Sequence, residues 1–324
     1  MRNTLCILIL LHLTTGLRAQ QDPTYTQFIF SSLAFNPALA GHNEHLTLNL
    51  LHRRQWLGID DAPVTQALTA HSPLRNKRVG LGLSLVNDKA GVSGLTELNF
   101  AYAYRFPLND ALQLSAGLQA GVSNWRGEWT SLTLEQAGDV VFQENVNLWQ
   151  PNFGVGAHLS HERFYVGLSC PRLLESKLRP GNETGRRYRH YYLAAGAAIP
   201  LRGDNLVFRP ALLLKSTGLF SQYRQGGQNV SIGAPTAIDL NASLFIIQTF
   251  AVGAAYRTAL EGRKTSHDSA DLWAAWHLRN GLRFGMAYDL TLSKLRLASN
   301  GSLEFMIGYE FDIKVSKAAS PRFF

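Results

Sequence analysis

Apolar residues recur at every second position along nearly the whole chain, and few folds allow that rhythm. Over 303–311, Leu303, Phe305, Ile307, Tyr309 and Phe311 share one face, while Glu304, Met306, Gly308 and Glu310 share the other. Near 112–122, Leu112, Leu114, Ala116, Leu118 and Val122 alternate with Gln113, Ser115, Gly117, Gln119 and Gly121. Val79, Leu81, Leu83 and Leu85 alternate with Gly80, Gly82 and Ser84, and Phe100, Tyr102, Tyr104 and Phe106 with Asn99, Ala101, Ala103 and Arg105. Successive side chains of a strand point to opposite faces, so a period of two means strands with one greasy and one small or polar face.

A soluble sandwich and a closed membrane barrel both produce this pattern. Sandwich strands commonly run about five or six residues, whereas these run about nine to twelve, the length a tilted strand needs to cross a bilayer. The second face is rich in Gly, Ala, Ser, Asn and Gln, as a hydrated lumen would be. Tyr and Phe stand near strand ends, at Phe106, Tyr256, Tyr288 and Phe311, where an interfacial girdle belongs. The expected fold is all-β, a transmembrane outer-membrane β-barrel. Strands are expected near 44–53, 63–72, 78–87, 93–105, 111–124, 150–160, 163–170, 189–199, 205–215, 236–246, 249–257, 268–277, 281–290 and 301–312. That makes about fourteen antiparallel strands, an even number. Connections after the odd strands are expected to be long, including 87–91 and 258–267, and those after even strands short. Long loops then face outward, with both termini in the periplasm of a Gram-negative cell.

Residues 1–19 read as a secretory signal peptide, with Arg2 before an apolar run from Leu5 to Leu13 and a Leu17-x-Ala19 cleavage site. An exported chain then keeps Cys170 alone of its 2 cysteines, which rules out an internal disulfide. Beyond the signal no run approaches the 18 apolar residues of a spanning helix. The formal net charge is +8. In an exported protein this suits anionic outer-membrane lipid or an acidic protein partner rather than nucleic acid, or simply a solvated basic surface.

Residues 20–43 precede the barrel (44–312), and 313–324 form a C-terminal periplasmic tail. The front segment holds Tyr25, Phe28, Phe30 and Phe35 and runs through Asn36-Pro37 to Gly41. It lacks alternation, so it is not a lipid-facing strand. It forms either a periplasmic plug seating Phe28, Phe30 and Phe35 under the barrel, or a lead-in that orders the terminus. In the plug, Asn36-Pro37 would start a turn and Gly41 would end the last helical piece.

No catalytic motif is present: there is no GxSxG, HExxH, phosphate-binding loop or CxxC pair. Gly80-x-Gly82 and Gly154-x-Gly156 lack a third glycine and read as strand packing. His158 and His161 have no third ligand nearby. Neither catalytic residue, cofactor nor metal is expected, and the chain reads as no enzyme. What remains is surface. Trp125, Trp129 and Trp149 on a 125–149 loop are either protein-binding anchors or a lid. Arg186 and Arg187, with Arg189, His190, Lys177 and Arg179, suit an acidic partner or lipid phosphates, or are solvated. Arg54 and Trp56, in the His52–Trp56 stretch, line a binding mouth or anchor at the interface.

Several motifs, in order, resemble the PorP/SprF family of type IX secretion and gliding outer-membrane proteins. They are Tyr25-x-Gln27-Phe28 with Asn36-Pro37-Ala38-x-Ala40-Gly41; Arg53-Arg54-Gln55-Trp56-x-Gly58 with Ala62-Pro63; and Gly80 to Ser84 leading to Asn87-Asp88-Lys89. Ala103-Tyr104-Arg105, Pro151-Asn152-Phe153-Gly154-x-Gly156, Tyr165 to Ser169, Asp239-Leu240-Asn241, Gly285 to Asp289 and a final Ser320 to Phe324 follow. Cys170-Pro171 departs from the family, where a small or aliphatic residue usually precedes the proline. The resemblance implies a non-enzymatic accessory role. Members serve the secretion machine, or hold one secreted, adhesin-like substrate through its C-terminal domain. It brings no catalytic residue; Phe28, Phe35, Asn36, Pro37, Gly41, Arg54 and Trp56 are its site candidates. A passive porin or lipid conduit is the alternative.

Overall fold

The structure, a computed structural model, describes residues 25–28, 30–43, 45–75, 77–132, 143–178, 186–219, 222–225, 228–231, 235–261 and 264–311. The expected signal peptide and C-terminal tail lie outside these residues, as do Arg179 and all of 133–142. The barrel strands are β1 Thr47–Arg54, β2 Val64–Pro73, β3 Val79–Ala90, β4 Ser93–Pro107 and β5 Leu112–Gly127. They continue as β6 Val146–His161, β7 Phe164–Cys170, β8 His190–Ala197, β9 Leu206–Thr217 and β10 Thr236–Ile246. The last four are β11 Phe250–Glu261, β12 Lys264–His277, β13 Leu282–Thr291 and β14 Ser302–Glu310. Each pairs antiparallel with its chain neighbour, and β1 pairs with β14 from Thr47↔Glu310 to Arg54↔Leu303. The sheet therefore closes on itself as fourteen strands, with Ile199–Pro200 only extending the pairing of β9.

Alternation fixes which way each side chain points. On β14, Glu304 and Met306 are buried while Phe305 and Ile307 are exposed. On β4, Ala101, Ala103 and Arg105 are buried while Phe100, Tyr102 and Phe106 are exposed. The exposed face of β4 is apolar from Leu98 to Leu108, roughly 26 Å at a rise of about 3.4 Å per residue and a tilt of about 40°, the height of a lipid-facing band. Toward the long connections this face turns polar. Thr96 donates to Asn87 (3.0 Å) and Asn124 to Asn147 (2.6 Å), so β3–β6 rise above the band.

Two expected long connections are not loops. β3 runs on to Ala90 and β4 begins at Ser93, and β11 reaches Glu261 with β12 starting at Lys264. Asn87–Lys89 are polar on both faces, and Thr258 faces His267 across the β11–β12 pair, so pairing continues there without a strict apolar alternation.

The N-terminal segment does not sit below the barrel. Residues 25–43 fill its interior. Tyr25, Phe28 and Phe35 pack in one cluster with Leu51, Ala67, Val86, Tyr192 and Leu213, all inward-facing wall residues. The expected hydrated lumen is thus occupied by the chain itself.

Candidate functional site

The plug begins near the long-connection rim. Thr26 Oγ1 donates to Asp289 (2.7 Å), and the Thr26 and Gln27 amides donate to the two carboxylate oxygens of Glu304 at 2.9 and 2.8 Å. Arg53 completes the latch, donating to Thr26 Oγ1 at 2.7 Å and pairing with Asp289 (2.5 Å) and Glu304 (3.1 Å). Asp289 and Glu304 lie two residues inside their strand ends, and Arg53 lies one inside. Next to them Arg257 pairs with Asp239 at 2.5 Å and reaches the Tyr25 carbonyl at 3.4 Å. Asp271 stands opposite Asp289 in the β12–β13 register, buried to 2% exposure. Charges at bilayer depth are expensive unless they face a protein interior and find partners. Here the partners include the plug's own main chain, so seating the plug satisfies groups that would otherwise be orphaned.

From the latch the chain descends to Phe30, which meets Trp273 edge-on at 5.7 Å, then rises through the short Ser32–Ala34 turn to Phe35. Phe35 packs against Tyr25 and Tyr192, and its carbonyl accepts from Ser169 at 2.8 Å. Asn36 then caps the single turn Pro37–Leu39. Its side chain accepts from the Ala38 amide (3.0 Å) and donates to the Ala157 carbonyl (3.1 Å). An Asn cap followed by Pro at the first position is the strongest local start signal available to a short helical turn. The plug leaves at the short-turn rim, where Arg105 grips the Ala40 and Gly41 carbonyls and Gly41 takes φ +61°. The wall meets this backbone with glycine. A Cβ on Gly117 would fall on the Ala38 amide, and one on Gly156 on the Asn36 side chain.

A second cluster closes the other mouth. Glu97 accepts from Arg172 (2.8 Å) and Arg187 (3.1 Å), drawing the β7–β8 connection inward. The Pro171 carbonyl accepts from Gln119 and Asn152 inside the wall. Between this cover and the plug lies a cavity of about 40 Å³ bounded by Glu97, Asn99, Gln119, Asn152, Tyr25 and Tyr192. Among the described residues no group of His, Cys, Asp or Glu is arranged to hold a metal ion.

The family described as the type IX secretion system membrane protein PorP/SprF matches residues 17–309. The chain belongs to the PorP/SprF family. Fold and family together place it in the outer membrane. No curated protein matches it. Among solved structures, the Ralstonia pickettii toluene transporter TbuX is 12% identical over 91% of this chain and 95% of that one, with a TM-score of 0.51. A Pseudomonas aeruginosa FadL homologue is 13% identical over 87% and 94%, with a TM-score of 0.49. Omp33 of Acinetobacter baumannii is 7% identical over 84% and 100%, with a TM-score of 0.47. At these identities the likeness to TbuX extends to the fold alone.

Several PorP/SprF motif residues now have positions. Phe28, Phe35, Asn36, Pro37 and Gly41 come together in the plug. Arg54 and Trp56 do not join them. Arg54 is exposed on the outer face, and its neighbour Arg53 points inward. The Trp56 amide (φ +47°) donates to the Ser302 hydroxyl, while Leu57 donates to the Gly301 carbonyl and accepts from the Asn300 amide, a stitch across the β1–β14 seam. Trp125 is buried with Leu95 and Leu178 beside Trp129, whereas Trp149 lies on β6, 69% exposed on the outer face of the barrel. Of the basic stretch, Arg187 and His190 are buried, Arg186 is half-buried, and Arg189 pairs with Glu175 at 3.2 Å. The stretch is therefore not one solvated patch. The latch residues Arg53, Asp239, Arg257, Asp271, Asp289 and Glu304 were missed as a site. The available signal was charge at inward positions of otherwise apolar strands.

Proposed function

We propose that the protein is a non-enzymatic docking platform of type IX secretion and gliding. It would hold a secreted, adhesin-like substrate through that substrate's C-terminal domain, or a component of the secretion machine. The observation that carries this reading is the filled lumen. Among the described residues, the segment 25–43 packs into the barrel interior, latched near one rim and set against wall glycines further down, which favours docking over solute passage. Binding then falls to the outer surfaces. The long connections would face outward, and the raised ends of β3–β6 with Trp125 and Trp129 offer a rigid base for a β-rich or extended partner. The short turns and the C-terminal tail would lie in the periplasm.

The test is mass spectrometry of what copurifies with the tagged protein from gently solubilised outer membranes. One large secreted protein in near-equal amount supports a dedicated substrate; periplasmic secretion components support a role in the core machine. Empty barrels that conduct steadily in planar bilayers as isolated would overturn docking in favour of a passive porin.

A further inference from the structure

The connections at the short-turn rim repeat one design. Pro73-Leu74-Arg75, Pro107-Leu108-Asn109, Pro200-Leu201-Arg202 and His277-Leu278-Arg279 each end a strand with leucine followed by a polar residue. In all four the leucine amide closes the turn, donating to the carbonyls of Val79, Leu112, Leu206 and Leu282 at 2.7 to 2.9 Å. Each leucine keeps the parity of the lipid-facing side chains of its strand. Leu74, Leu108 and Leu201 are 46%, 54% and 58% exposed. Directly inside them on the same face stand Tyr104 and Phe106, 4.7 Å apart, and the stacked pair Phe250 and Trp276.

We propose that this rim is a phospholipid-binding collar. The leucines enter the acyl region and the adjoining arginines hold the phosphodiesters of anionic headgroups. Charge supports this occupant: the short turns carry Arg75, Lys77, Arg78, Arg163, Arg202 and Arg279 against Asp110, Glu162 and Asp204. Among the described residues no carboxylate forms an ion pair with Arg75, Arg163, Arg202 or Arg279. Placement supports it too. The four turns follow β2, β4, β8 and β12, spread around the circumference, where a protein partner would touch one arc and lipid touches all. Apolar stems below a cationic head are how such side chains sit at a bilayer edge, and each basic residue near an anionic surface adds affinity.

The test uses the full-length protein in mild detergent, mixed with phosphatidylglycerol or with phosphatidylcholine, and counts retained lipids by native mass spectrometry. Phosphatidylglycerol is expected to be retained preferentially. The R75Q/R202Q/R279Q variant is expected to lose affinity roughly fivefold at each of the three turns, and to retain correspondingly fewer phosphatidylglycerol molecules. Arg126→Gln, at the opposite rim, leaves retention unchanged. Equal retention of the two lipids by the wild-type protein overturns the proposal by itself, even if the triple variant fails to fold. Wild-type-like retention by a folded triple variant overturns it as well.

Discussion

Replacing Glu304 with Gln tests the latch with almost no change of shape. Glu304 is wholly buried and accepts from the Thr26 amide, the Gln27 amide and Arg53. An amide side chain offers one acceptor oxygen where the carboxylate offered two, so at least one buried backbone donor loses its partner. An orphaned buried donor costs about 1–3 kcal/mol. Arg53 keeps Asp289, at 2.5 Å, so the loss of its second carboxylate is a partial rather than a full breaking of a buried pair. Together these come to about 3 kcal/mol against the seated plug, roughly a 100-fold rise in the unseated population. The barrel strands do not depend on this group for pairing, so the effect falls on the plug. Planar-bilayer recording reads it directly. The wild type is expected to stay closed, E304Q to show openings about 100 times more often, and a chain lacking residues 22–41 to conduct steadily. If E304Q is as quiet as wild type while the deletion conducts, the carboxylate is not what holds the segment. If the deletion is also quiet, the segment is not what closes the lumen.

Other consequences follow from the same geometry. Gly117→Val puts a side chain where Ala38 sits, so residues 25–43 should become protease-sensitive while far-ultraviolet circular dichroism still reports an intact barrel; overpacking of this kind costs about 1–3 kcal/mol. Asn36→Ala removes both the cap on Ala38 and the bond to Ala157. It should raise open events in the same recordings by roughly tenfold, an effect of about 1–2 kcal/mol, and unchanged gating would sink the capping role. Glu97→Gln should weaken the hold on Arg172 and Arg187 and speed hydrogen exchange at the Leu173 amide, which is bonded to the Phe153 carbonyl at 2.8 Å. Exchange as slow as in the wild type would show that the cover is held by other contacts.

The fourteen segments read from period two coincide with the fourteen barrel strands to within about four residues at each end. The larger differences lie at 146–149, 258–261 and 264–267, all toward the long connections. There polar residues such as Asn147, Thr258 and His267 interrupt the alternation, and pairing continues without the strict apolar signal that marks it elsewhere. The site was less legible. Phe28, Phe35, Asn36 and Gly41 stood out by composition, but Gly117 and Gly156 looked like ordinary strand glycines. Glu304 looked like one polar residue of an alternating series.

What the sequence determined by itself is everything that each residue decides alone. A side chain's parity along a strand is fixed by backbone geometry, and its fitness for lipid is fixed by its own polarity, so strand identity, facing and the apolar band can be read without knowing any partner. The tertiary structure decided what each inward residue meets. Whether a lumen carboxylate faces water or the amides of Thr26 and Gln27, and whether a glycine fills space or clears it for Ala38, depends on a segment distant in the chain. Closure of the barrel, through β1 against β14, is what brings that segment and those walls together.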